Sequence, residues 1–217
     1  MHRVPTTGAM ENRVSTAEIA AKGIWSSDVS NMPASDGLTI QRLFTVTEPQ
    51  VQGLAELLID CVDGGASVSF MHPLPAVKAR DFWRRVAEGV AQGERALLVA
   101  EDRRGIVGTV QLILDQPENQ PHRADVSKML VHRRTRRQGL GGALLRAAEN
   151  IARECGKSLL VLDTASSDAE RLYSRLGWQR SGVIPGFALL PHGGLCDTTF
   201  FYRTLPIPDA ADAGPQS

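Results

Sequence analysis

A chain of 217 residues with 42% apolar and 22% charged residues suits one domain, or one domain with tails, built on an ordinary core. Lys plus Arg and Asp plus Glu number 24 each, so no overall field favours nucleic acid, a membrane surface or an acidic partner, and any anion site must be built locally. The cysteines Cys61, Cys155 and Cys196 are odd in number, far apart and outside any CxxC, which argues against a disulfide framework and fits a reducing compartment. No metal is expected: His192 with Cys196 is the nearest pair, and two ligands do not make a zinc site. Neither a basic-then-apolar leader nor a long apolar run is visible, so the sequence reads as cytoplasmic and away from the membrane.

Residues 1–37 mix Thr, Ser, Asn, Gly and Pro with few large apolar side chains and read as a poorly ordered extension, with a short helix possible at Ser15 to Gly23. Leu38 to Val46 alternates as a first strand. Pro49 to Asp63 carries Val51, Leu54, Ala55, Leu58, Ile59 and Val62 at helical spacing behind a proline near the first turn. A second helix is expected from Pro75 to Gln92. A hairpin follows, Ala96 to Glu101 and Ile106 to Leu114 around Asp102-Arg-Arg-Gly105, and then a strand from Ala124 to Val131. Gly139 to Cys155 is a long amphipathic helix with Leu140, Ala143, Leu144, Ala147, Ala148 and Ile151 on one face. Ser158 to Leu162 is continuously apolar, the pattern of a strand covered on both faces. A short helix, Asp168 to Leu176, stops at Gly177, and strands Trp178 to Val183 and Thr198 to Leu205 close the domain; residues 206–217 are a tail. An antiparallel hairpin feeding a βαβ unit predicts an α/β domain over 38–205, with a mixed central sheet of about seven strands flanked by about four helices.

Chemistry concentrates in Val126-Ser-Lys-Met-Leu-Val-His-Arg-Arg-Thr-Arg-Arg-Gln-Gly-Leu-Gly-Gly142. A strand ends at Val131, four arginines follow, and Gly139, Gly141 and Gly142 open a helix. Glycines at such a junction let backbone N–H groups approach a ligand, and the helix start adds about half a positive charge. The place suits a diphosphate, with the arginines as further phosphate partners. A dinucleotide fingerprint is less suited, because the sixth position is Leu144 and seven residues separate strand from first glycine. A nucleic-acid patch lacks interleaved aromatics. A merely solvated basic loop leaves unexplained three helix-weakening glycines, each costing about 1 kcal/mol relative to Ala.

Arg136-Arg-Gln-Gly139-Leu-Gly141 resembles the R/Q-x-x-G-x-G/A signature of the GNAT acetyltransferases. Ala169-Glu-Arg-Leu-Tyr173-Ser-Arg-Leu-Gly177-Trp178 resembles that family's second block, A-x-x-L-Y-x-x-x-G-F. Gly64-Gly-Ala-Ser-Val-Ser-Phe-Met71, Leu162-Asp-Thr164 and Pro185-Gly-Phe187 with Pro191-His-Gly-Gly194 look like the tabtoxin-resistance acetyltransferases. The resemblance implies acetyl-CoA as co-substrate. Its diphosphate would lie on the backbone of Gln138, Gly139, Leu140, Gly141 and Gly142, with Arg136 and Arg137 as further phosphate partners, and its pantetheine arm along Met129, Leu130 and Val131. One position departs from the family: Ser166 stands where an asparagine is frequent, so its contact with the arm is open.

Acetyl transfer needs an uncharged amine and a proton for the leaving thiolate. Asp125 and Asp163, at strand ends beside the expected cleft, are the candidate bases, and solvated strand-end carboxylates are their bland reading. Tyr173 shares a helix face with Ala169 and is the candidate acid; a core aromatic is the alternative. No cysteine has a base beside it and no G-x-S-x-G elbow occurs, so direct attack in a ternary complex is expected. Gly64 to Met71 would line the acceptor pocket, with Phe70 and Met71 as walls. The expected acceptor is a small-molecule amine, with an amino-acid-like toxin or antibiotic among the candidates; a non-catalytic acyl-CoA sensor is the alternative class, and homodimer formation stays open.

Overall fold

A computed structural model of the chain describes residues 37–206. The expectations for residues 1–36 and 207–217, including the helix at Ser15 to Gly23, lie outside the described residues. The elements run β1 (Thr39–Leu43), α1 (Glu48–Asp63), α2 (Ala76–Ala91), β2 (Arg95–Asp102), β3 (Gly105–Ile113), β4 (Arg123–Val131), a 3-10 turn (Arg133–Thr135), α3 (Leu140–Glu154), β5 (Leu159–Thr164), α4 (Ser167–Arg175), β6 (Gln179–Leu189) and β7 (Leu195–Thr204). The strands form one mixed sheet in the order β1-β2-β3-β4-β5-β7-β6, in which only β4 and β5 are parallel.

Local chemistry sets the helix starts. Thr47 and Gln50 make a reciprocal capping box at α1, each side chain bonding the other's backbone N–H. The stripe Val51, Leu54, Ala55, Leu58 and Val62 is buried as its spacing requires. Ser166 caps α4 by accepting from the Ala169 N–H. Helix α3 begins at Gly139 with no side-chain cap.

The sheet separates two cores. Ala96, Leu98, Ala100, Val110, Leu112, Leu160 and Leu162 face α3 and α4, while Leu97 and Val99 pack with α1 and α2. Along β4 the pattern changes phase: Ala124 and Val126 face α3, but Leu130 joins the α1/α2 core. The change occurs where β3–β4 pairing shifts from Gln111↔Ser127 to Thr109↔Leu130, around Lys128 at φ 49. One extra residue in a strand reverses the faces of everything after it.

The structure differs from the expectations in three places. β1 is shorter than Leu38 to Val46. β5 is buried on one face only: Leu160 and Leu162 are covered, whereas Leu159 and Val161 are half-buried and Asp163 is exposed. Its apolar run reflects a sheet face that α1 and α2 do not reach. β6 and β7 run well beyond Val183 and back from Leu195, so Pro185 to Leu189 belongs to a strand with a register shift between Ile184 and Ala188. Proline and glycine suggested a loop there, but on the outermost strand Pro185 leaves no central ladder broken.

Candidate active site

The arginine segment is organised by acidic partners that spacing does not reveal. Asp60 of α1 accepts from the Arg133 backbone N–H at 2.9 Å and from its Nε at 2.8 Å. Burial of Asp60 opposes its charge, yet these two bonds prevail and hold its carboxyl below the ordinary value. Arg134 pairs with Asp102 at the β2–β3 turn, and Arg136 Nε donates to the Val131 carbonyl at 3.2 Å. Two of the four arginines expected at phosphate, Arg133 and Arg134, are therefore held by carboxylates, and a third, Arg136, by a backbone carbonyl. Arg136 and Arg137 remain at its exposed end.

Beyond them the chain turns into α3 through two left-handed residues, Arg137 at φ 62 and Gly139 at φ 82. The first turn-closing bond of this junction is Ala143 N–H to the Gly139 carbonyl at 3.1 Å. The N–H groups of Leu140, Gly141 and Gly142 consequently have no acceptor inside the helix, and no side chain caps them. A Cβ on Gly141 would lie 3.1 Å from Leu172 Cδ2 of α4, so α4 closes one side of the helix start.

The second feature is an open strand edge. β4 and β5 pair only over Arg123↔Leu159, Ala124↔Leu160 and Asp125↔Val161, and then diverge. From Val126 to Val131 the β5-facing edge of β4 carries no ladder, while its other edge stays paired with β3 as far as Val131. Met129, Leu130 and Val131 lie on this edge. It leads towards the uncapped start of α3, where Met129 Cε would sit 3.6 Å from a Cβ on Gly141.

At the end of β5 lies a cavity of about 240 Å³. Ser67, Ser69, Phe70 and Met71 form one wall, Asp163 and Ala165 a second, and Phe187, Ala188, Leu189 and Thr198 the rest. The segment Gly64 to Met71 therefore does line a pocket. It is held there by Ser67 Oγ donating to the Leu189 carbonyl at 3.4 Å and by His72 N–H donating to the Pro191 carbonyl at 2.9 Å. The rings of His72 and His192 stack at 4.4 Å. Cys196 Sγ lies 3.8 Å from Ser67 Oγ. Among the described residues no group of three or more His, Cys, Asp or Glu side chains could hold a metal ion.

The two candidate bases part company. Asp163 faces the cavity, and desolvation raises its pKa against the opposing pull of Lys128. Asp125 is tied to Arg123 and accepts from Gln116 Nε2 at 3.1 Å, and it does not line the cavity. Tyr173 is 4% exposed and packs against Trp178 and Phe201 at ring distances of 5.9 and 5.6 Å. Burial, with the charge of Asp163 adding to it, drives the phenol pKa well above the ordinary value, so the proton stays on Oη at neutral pH. Ser166 is exposed at the start of α4, where its hydroxyl accepts the capping bond.

Sequence reasoning passed over Lys128. Its Nζ donates to Ser69 Oγ at 3.2 Å and lies 5.7 Å from the Phe82 ring centre. Burial lowers its pKa, with Asp163 opposing that shift and Arg95 adding to it. The signal available was weak: a lysine in an otherwise ordinary strand, with nothing local to mark the bulge that turns it.

The acetyltransferase (GNAT) domain family matches residues 93–180, a span that holds β2 to α4, the uncapped helix start and Tyr173. That span is thus similar in sequence to the acetyltransferase (GNAT) domain family. N-acetyltransferase 8B of Homo sapiens is 37% identical to the chain over 87 residues, which is 39% of this chain and 38% of that protein. The chain thus matches well under half the length of that curated relative. Among solved structures, yncA of Salmonella typhimurium, determined with its cofactor acetyl-CoA, superposes with a TM-score of 0.65 at 22% identity, over 82% of this chain and 99% of that one. A GNAT superfamily phosphinothricin acetyltransferase of Sinorhizobium meliloti, in complex with AcCoA, superposes with the same TM-score at 19% identity, over 77% and 88%. The GNAT fold thus extends beyond the matched segment to the described seven-stranded sheet and its four helices. No helix among the described residues is long and apolar enough to cross a membrane.

Proposed function

We propose that the protein is an acetyl-CoA-dependent N-acetyltransferase that acetylates the amine of a small molecule, of amino-acid-like toxin or antibiotic type, by direct attack in a ternary complex. One combination carries the reading: an uncapped helix start, an unpaired strand edge leading to it, and a cavity bearing the Asp163 carboxylate at the end of β5. The matched GNAT domain, the acetyl-CoA held by two structural neighbours and the resemblance of the Gly64 to Met71 segment to tabtoxin-resistance enzymes support it.

The residues present fit the co-substrate. The free N–H groups of Leu140, Gly141 and Gly142, with Gly139 and Gln138 before them and Arg136 and Arg137 at the rim, would hold the diphosphate. The open edge at Met129 to Val131 would bond the pantetheine arm as a neighbouring strand does, with Ser166 at the far side. Bound acetyl-CoA supplies a thioester whose carbonyl carbon accepts the amine nitrogen as the carbon–sulfur bond breaks.

Asp163 draws the substrate ammonium into the cavity and takes its proton, directly or through water. Its raised pKa makes it a stronger base than an ordinary carboxylate. Asp125 is left with a structural role, because Arg123 and Gln116 already engage both of its oxygens. A backbone N–H on the free β4 edge faces the developing oxyanion. Tyr173 holds a proton on Oη, supplied to the departing sulfur.

Thiol release from acetyl-CoA, followed against a panel of small amines, amino acids and aminoglycosides, tests the reading. Acceptor-dependent release is expected. Tight acetyl-CoA binding with no release for any acceptor would favour the sensor alternative, and no binding would remove both.

A further inference from the structure

The acceptor cavity has a charge imbalance that catalysis alone does not explain. Lys128 sits at the β4 bulge with φ 49, so its side chain leaves the strand towards α2 and the Gly64 to Met71 segment, away from the α3 core. Its ammonium is half-buried over Phe82, makes no salt bridge among the described residues, and has the Ser69 hydroxyl as its hydrogen-bond partner. A cation withdrawn from water and left without a carboxylate is costly unless something else supplies the negative charge. Asp163 is the nearby counter-charge, since Asp125 is paired to Arg123. The reacting ammonium would claim Asp163, which leaves the Lys128 ammonium room for one more anion. Ser69, which reaches the cavity surface, is itself held at φ 74, a conformation uncommon outside glycine.

We propose that Lys128 and Ser69 form a carboxylate subsite in the acceptor cavity, so that the acceptor is a small zwitterion whose ammonium meets Asp163 and whose carboxylate meets the Lys128 ammonium and the Ser69 hydroxyl. This deepens the N-acetyltransferase reading and rests on it. The reacting amine and the carboxylate must lie within a few bonds of each other, as in an α-amino acid, because Asp163 and Ser69 line one cavity of about 240 Å³ and the Lys128 ammonium lies 3.2 Å from Ser69 Oγ. Phe70, Met71, Phe187 and Leu189 leave an apolar wall for the side chain.

Matched pairs that differ only in the carboxylate test this: methionine against 3-(methylthio)propylamine, and phenylalanine against phenethylamine, each with the full-length wild type, Lys128→Met and Lys128→Arg. The wild type should prefer the amino acid by about tenfold or more in kcat/KM. At a pH well above the acid limb, Lys128→Met should erase that preference through KM, and Lys128→Arg should restore part of it. Indifference of the wild type to the carboxylate, or an equal loss for both members in Lys128→Met, overturns the subsite. So does turnover of neither member by protein that binds acetyl-CoA, which leaves the co-substrate site standing. Absence of acetyl-CoA binding instead removes the transferase reading. Calorimetric titration of the same pairs then decides the subsite: amino-acid binding lost in Lys128→Met supports it, and equal or absent binding overturns it.

Discussion

At the residue scale, the charge of Asp163 adds to burial in raising the Tyr173 pKa, and pH behaviour should separate the two roles. Desolvation raises the Asp163 pKa, so its basic form disappears as pH falls through a value above that of an ordinary aspartate. The acid limb of kcat/KM should be shifted upward accordingly. Asp163→Asn should lower kcat/KM by about 10²-fold and flatten the limb. Lys128→Met removes the cation that opposes the shift and should move the limb to higher pH. A limb unchanged in Asp163→Asn would assign the proton to another group. Tyr173→Phe keeps the ring contacts with Trp178 and Phe201 and removes only the hydroxyl. It should cut kcat by about 10²-fold while calorimetry finds acetyl-CoA affinity nearly unchanged. Undiminished kcat would return Tyr173 to the core.

At the scale of elements, the start of α3 and the bulge of β4 do different jobs. Three consecutive N–H groups without acceptors make the helix start attractive to an anion, and a carboxylate placed among them would both occupy and repel. Gly141→Glu should abolish acetyl-CoA binding in calorimetry. A Cβ there presses Leu172 at 3.1 Å, so a circular dichroism spectrum matching wild type is needed alongside. Binding that persists would remove the phosphate cradle from this junction. The bulge changes which face the later residues of β4 present. It places Leu130 with α1 and α2 and Met129 against α3, and it turns Lys128 towards Ser69.

At the scale of the whole molecule, the cleft depends on how firmly β4 and β5 are joined before they separate. Lys157, 8% exposed, stands just before β5 and donates from Nζ to the carbonyls of Leu114 and Pro121 at 2.9 and 2.8 Å. It ties the end of β3 and the loop ahead of β4 to the base of the opening. Burial lowers its pKa, but the two carbonyl bonds reward the charged form. Lys157→Met would leave both carbonyls without this donor and should cost about 2–3 kcal/mol, read as a lower denaturant midpoint at unchanged slope. A midpoint equal to wild type would show that water replaces the ammonium there.

The amino-acid sequence by itself determined the element order, the seven strands and four helices, and the glycine-opened helix after a buried strand. These features rest on periodicity, capping and turn chemistry, which act within a few residues along the chain. Only the tertiary structure decided what lies side by side. Asp60 and Asp102 take Arg133 and Arg134 from positions 73 and 32 residues away. Arg123 and Gln116 engage Asp125 while Asp163 reaches the cavity, and a strand bulge turns Lys128 towards Ser69, 59 residues distant. Charge and burial depend on distance through space. Which carboxylate keeps its charge free, and which cation waits for one, is settled only when the sheet has brought the partners together.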